Sequence, residues 1–293
     1  MRIFSHVAVA AALVVFCGSA SAQFGFSLPG FGSVSKDGSG NKGGGADIGS
    51  IWGNATKALK ETTEEEEILV GQEFASILLG AKPLLANPAM QHYINTLGRW
   101  LASQTERPDL PWTFGVLDDA GYNAFATPGG YIFVTKGLLE RMHNEAELAG
   151  VLAHEIGHVL KKHHLNAMKK KGLAGLGADL ISMKTGNDAV KGAVIDIGRK
   201  LIASGLDQSD EFEADRLGVV IAARAGYDAY GLPAVLQMLQ AQSGGDSNFS
   251  LLFETHPAPS ARLDMLGKLM KNQFDALPGS IGKPLAERVK EFK

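Results

Sequence analysis

Residues 154–158, His154-Glu155-Ile156-Gly157-His158, put two imidazoles and a carboxylate within five positions of a strongly helical stretch. Four residues advance a helix by roughly 400°, so His154 and His158 share one face, a turn apart. Two imidazoles so placed can bind one Zn²⁺. Glu155 lies about 100° round from His154. Its carboxylate can reach a water on the open side of the metal, where that water gives up a proton more easily.

A hydrolytic zinc site wants a third protein ligand and an open position. His164 stands where an H-E-x-x-H-x-x-G-x-x-H pattern would place it, but that pattern needs glycine at 161 and this chain has Lys161. On a helix continued past His158, His163 and His164 point roughly 140° and 240° away, as surface histidines. The better candidate is Glu211, in Glu211-Phe212-Glu213-Ala214-Asp215. Glu211 and Asp215, four apart, share a face. Glu211 can bind the metal while Asp215 accepts the free N–H of a ligand histidine, a partner such histidines almost always have. Glu213 points elsewhere and reads as solvated charge. His163 and His164 are the fallback ligands.

These groups need elements to hold them. A helix is expected over 55–81, with the acidic run Glu64 to Glu67 on a solvated face and an apolar stripe of Ile68, Leu69, Phe74, Ile77 and Leu78. Asn87-Pro88 opens a second helix to about 105. Strands are expected at 112–117, at 123–126 and at 131–134, the last two around Pro128-Gly129-Gly130. A short helix follows Thr135. Asn144 is the expected N-cap of the motif helix, which is read as running to about Asn166. From Asp207 onward the chain reads as helical, with breaks at Gly226, Gly244-Gly245 and His256-Pro257.

The remainder bounds the setting. Residues 1–22 read as a secretory signal peptide, with Arg2, an apolar run from Val7 to Cys17, and a cleavage site at Ala20-Ser21-Ala22. Residues 23–50 hold nine glycines and read as a flexible linker, and 51–293 as the functional domain. Bulky Phe16 before Cys17 argues against lipid attachment, so the mature chain has no thiol to ligate a metal. Lys+Arg total 28 against 31 Asp+Glu, and no basic block covers a face, which excludes nucleic acid as the expected partner. No later segment offers the apolar length of a membrane span, so a soluble periplasmic protein is expected. Residues 168–206 read as a mobile flap or membrane-touching hairpin, or equally as buried helix with a surface loop. Peripheral membrane contact through them is one partner reading.

Four blocks resemble the HtpX-like and BepA-like zinc metallopeptidases, relatives of the prenyl-protein proteases, in their soluble branch. The blocks are Asn123-Ala124-Phe125-Ala126-Thr127-Pro128-Gly129-Gly130, the H-E-x-x-H run, Glu211 to Asp215, and Thr255-His256-Pro257 with Arg262. The resemblance implies an α+β, mostly helical, zincin-like domain with a small sheet over the active-site helix. It implies one Zn²⁺ on His154, His158 and Glu211, with Glu155 as general base. It implies that Asn123, Ala124, Phe125 and Ala126 form an edge to which extended or unfolded protein substrates add as a strand. It places His256 at the open position, either donating to an oxyanion with Arg262 in support or plugging the metal. The expected activity is endoproteolysis of unfolded or misassembled envelope proteins. A chaperone-like binding module on the same scaffold is the competing reading. Only 37 residues follow His256, too few for the tetratricopeptide stack of BepA-like members.

Overall fold

A computed structural model describes residues 63–171, 206–242, 256 and 258–291. The expected signal peptide, linker, residues 51–62, residues 172–205 of the segment 168–206 that reads as flap or buried helix, and Gly244-Gly245 lie outside the described residues.

The first described helix, α1 (Glu64–Ala81), is followed by α2 (Pro88–Ala102). Asn87 caps α2, its Oδ1 accepting from Met90 N–H at 3.0 Å, and Pro88 occupies the first turn. The helix ends at Ala102, three residues short of the expected 105. Three strands come next: β1 (Thr113–Leu117), β2 (Ala124–Thr127) and β3 (Tyr131–Thr135). They lie in the order β1-β3-β2, with β1 parallel and β2 antiparallel to β3. Strand alternation divides their side chains between two cores. Phe125, Tyr131 and Phe133 face Ala75 and Leu78 of α1. Ala124, Ala126, Ile132 and Val134 face the other way, into the main core. The result is the mostly helical α+β domain with a small sheet that was expected.

Among the described residues, one sheet edge remains for another strand. On β1, Gln91 accepts from Val116 N–H and donates to Val116 O, both at 2.8 Å, while Asn95 accepts from Phe114 N–H at 3.0 Å. Side chains of α2 thus satisfy that edge. The outer side of β2 carries no strand among the described residues.

After the short α3 (Lys136–Arg141) comes the motif helix α4 (Glu145–Leu160). Asn144 caps it, accepting from Glu147 N–H at 3.0 Å, and all sixteen residues are buried. It ends at Leu160, not near Asn166. Lys162 takes a left-handed backbone (φ 57°) and α5 (His163–Lys171) starts immediately. Beyond it lie α6 (Gln208–Arg224), α7 (Gly231–Gln242), α8 (Pro259–Met270) and α9 (Leu285–Glu291). The chain is not helical between α8 and α9. Ser280 and Pro284 bridge to Tyr227 and Asn144 there, and the Glu145 carboxylate accepts from Lys283 N–H and Arg288 at 3.0 Å and from Tyr93 OH at 2.8 Å.

The acidic run is not simply a solvated face. Glu67 is fully buried, bonded to Arg107 at 3.0 and 3.1 Å and paired with Lys162 at 2.8 Å. Burial works to raise its pKa, but Arg107 and Lys162 outweigh that and hold it below the ordinary value. Such a group stabilises the fold above its unfolded pKa, and the contribution is lost as pH falls through the folded value. Glu67→Gln should therefore cost about 3 kcal/mol at pH 7, the low end for breaking a buried pair because both cations keep some water. The gap from the parent chain should close as the medium is acidified below about pH 4. Urea melts at neutral and acid pH check both points.

Candidate metal centre

Helices α4 and α6 cross in close contact, and that crossing assembles the site. A Cβ at Gly218 would lie 2.9 Å from His154 N and 3.0 Å from its Cα. One at Gly157, inside the motif, would lie 3.2 Å from Ala214 Cα. With hydrogens there instead, α6 lays Glu211 and Asp215 against the histidine face of α4.

His154 Nε2 and His158 Nε2 stand 3.0 Å apart, both rings buried. Glu211 approaches them, Oε2 at 3.6 Å from His154 Nε2 and Oε1 at 3.5 Å from His158 Nε2. Asp215 Oδ1 lies 3.0 Å from His154 Nδ1, on the far side of that ring. His256 is also buried and brings Nε2 to 3.8 Å from Glu155 Oε1 and 4.0 Å from Glu211 Oε1. One donor atom each from His154, His158, Glu211 and His256 falls within 4.8 Å of the others. Arg262, on α8, donates from Nε to Asp215 Oδ2 at 2.8 Å and holds Nη1 3.5 Å from Glu211 Oε2.

The residues fit a cation. Both Glu211 oxygens are buried and neither accepts a hydrogen bond, although Arg262 stands near. A buried carboxylate in that condition is costly without a positive partner. The imidazoles are kept neutral, as ligands must be. Burial lowers the pKa of His154, with Arg262 adding to the effect, and burial with His154 close by holds His158 well below its ordinary value. Two nitrogens, a carboxylate and a fourth approachable position suit zinc. Burial also pushes Glu211 up to about 8, against the pull of Arg262 and with help from Asp215 and Glu155. Glu155 rises to about 8 by burial, again opposed by Arg262, and its Oε2 has no hydrogen-bond partner. Burial acts on Asp215 in the same sense, but Arg262 and His154 overcome it and hold that carboxyl far below its usual range.

Beside Glu155 opens a cavity whose polar wall is His154, His256 and Arg262, and whose apolar wall includes Ala124, Val151, Leu232 and Leu236. Ala124 brings the β2 strand to the cavity, while Asn123, Phe125 and Ala126 are buried beside it in or next to the same strand.

His163 and His164 are not surface residues. Both are buried, their ring centroids 5.1 and 5.4 Å from that of His158, because the chain turns at Lys162 instead of continuing as helix. Neither belongs to the four-group cluster. Glu213 is only partly solvated, and its Oε2 lies 3.3 Å from His163 Nε2. Sequence reasoning missed these two because it extended α4 by a turn.

The sequence profile of Peptidase family M48 matches residues 88–270, more than half of the chain. The chain belongs to this family. It is 32% identical over 208 residues to the beta-barrel assembly-enhancing protease of Escherichia coli K12, covering 68% of this chain and 42% of that one. The Yersinia pestis protein of that name is also 32% identical, over 209 residues, with 68% and 43% covered. The mitochondrial metalloendopeptidase OMA1 of Saccharomyces cerevisiae is 30% identical over 166 residues, with 54% and 47% covered. The chain thus spans less than half the length of these relatives. Among its described residues, no helix is long and apolar enough to cross a membrane.

The crossing itself is testable. Gly218→Ala forces a methyl onto the α4 backbone at His154 and should cost about 1–3 kcal/mol, as overpacking does. It should also weaken metal binding, since Glu211 retreats with its helix, while helix content stays near the parent's. Calorimetry and circular dichroism of the variant, with its zinc content, measure this.

Proposed function

We propose that this chain is an exported zinc endopeptidase that cleaves unfolded or misassembled proteins of the cell envelope. The observation that carries the reading is the Glu211 carboxylate, buried and without a hydrogen bond, facing the two histidine Nε2 atoms. Membership of a metallopeptidase family supports it. The envelope setting draws on residues 1–22 as a signal peptide, on 23–50 as a linker to the domain, and on relatives named for β-barrel assembly.

His154, His158 and Glu211 would hold the ion. When bound, zinc supplies a Lewis acid that acidifies a water and polarises a peptide carbonyl. Glu155 takes the proton on its unpartnered Oε2 and passes it to the leaving nitrogen. Its raised pKa suits both transfers near neutral pH. Asp215 keeps His154 in the tautomer that leaves Nε2 bare. An extended substrate pairs with the open side of β2 by main-chain bonds, which read extension more than sequence. Its side chain beside the scissile bond enters the apolar cavity.

His256 occupies the position facing Glu155. We favour a plug in the resting enzyme: its nitrogen sits among the metal-binding atoms and must withdraw before substrate enters. The alternative is a donor to the oxyanion. Arg262, pinned on Asp215, lends positive charge to the same region in either case.

Glu155→Gln should keep its zinc and lose about 10²- to 10⁴-fold in casein cleavage. A binding module would retain its activity in that variant. Glu211→Ala should lose tight zinc, and full zinc content there would sink the ligand assignment. His256→Ala should keep zinc and cleave casein faster than the parent if it is a plug. A fall of roughly 10²- to 10³-fold would make it the oxyanion donor instead.

A further inference from the structure

His154 has Asp215 behind it, whereas among the described residues no carboxylate contacts the Nδ1 of His158. That nitrogen faces His163 Nδ1 at 3.0 Å, both rings buried and edge to face. On the other side of the His163 ring, Nε2 lies 3.3 Å from Glu213 Oε2 and 3.8 Å from Asp210 Oδ1. Carboxylates only accept, so His163 carries its proton on Nε2 and donates it to Glu213. In the tautomer with its single proton on Nε2, Nδ1 is bare. The facing nitrogen of His158 must supply the hydrogen between them, which leaves His158 Nε2 without one. That Nε2 is the atom pointing at His154 Nε2 and Glu211.

We propose that His163 and Glu213 form a second positioning arm, setting the tautomer and ring orientation of His158 for metal binding as Asp215 does for His154. The inference rests on His158 being a ligand. The arm has its own supports. Lys162, in its left-handed conformation, turns the chain so that His163 doubles back onto α4, and the buried Glu67 holds the Lys162 ammonium at 2.8 Å. Lys161 Nζ stands 3.7 Å from Glu213 Oε1, which leaves Oε2 toward His163. The site is then held from two sides through two imidazoles, by Asp215 on α6 directly and by Glu213 on α6 through His163.

The test is zinc affinity of the full chain, measured by competition with a chromophoric chelator, together with the visible spectrum of the cobalt-loaded protein. His163→Ala should bind zinc about 10- to 100-fold more weakly, as the loss of such a partner does, and shift the cobalt bands. His163→Asn, whose amide oxygen can accept from His158, should recover most of the affinity. Glu213→Ala should weaken binding several-fold in the parent and not at all in the His163→Ala background. Undiminished zinc affinity in His163→Ala overturns the proposal. So does an equal loss in folded His163→Ala and His163→Asn, which would mean packing alone. If His163→Ala fails to fold, parent-like affinity in Glu213→Ala overturns it. Full zinc binding in Glu211→Ala would instead refute the underlying ligand set.

Discussion

The closeness of two helix backbones sets everything else at this site. Helix axes normally stand 8–10 Å apart, a distance fixed by the side chains at the contact. At Gly157 and Gly218 there are none, and Ala214 adds only a methyl. A carboxylate on α6 therefore reaches the imidazoles of α4 through the short stem of a glutamate. The same contact puts Asp215, one turn further along, behind His154. Spacing within each helix selects which side chains share a face, and the glycines set how far apart the faces stand.

The charge balance follows from that geometry. Glu155, Glu211 and Asp215 are buried together, with Arg262 as the nearby buried cation. Asp215 takes that cation by direct hydrogen bonds, so the other two carboxylates are left under-compensated and both are driven up to about 8. Removing a charge from water costs several kcal/mol unless a partner repays it. A divalent ion at the histidines would resolve the conflict at Glu211 and would leave Glu155 as the proposed group to take and return a proton. Neutral His154, His158 and His256 add no positive charge of their own.

Much of this was legible in the chain. Four-residue spacings named His154 with His158 and Glu211 with Asp215, and the caps at Asn87 and Asn144 are where side-chain oxygens followed by helix formers predict them. The period-two stretches gave the three strands to within a residue or two. What failed was local continuity. Lys161 and Lys162 are ordinary helix formers, and nothing in their propensity announces a turn. The break is stabilised from 95 residues away, by the last glutamate in a run of four. Tertiary contact overrides local preference there, which is why spacing and propensity alone read His163, His164, Glu67 and Glu213 as solvated groups.

The distribution of the parts along the chain has a bearing on when the site comes into being. His154 and Arg262 are 108 residues apart, and Arg262 follows Asp215 by 47. A chain made from its N-terminus thus presents the motif helix and all three acidic side chains before the guanidinium that steadies them exists. His256 arrives in the same late stretch. The chain at that stage has Glu155 but neither the Arg262 counter-charge nor the His256 ring that faces it. Everything up to Asp215 thus lacks the group that its own buried carboxylates require, and the arrangement closes only when His256 and Arg262 fold back onto it.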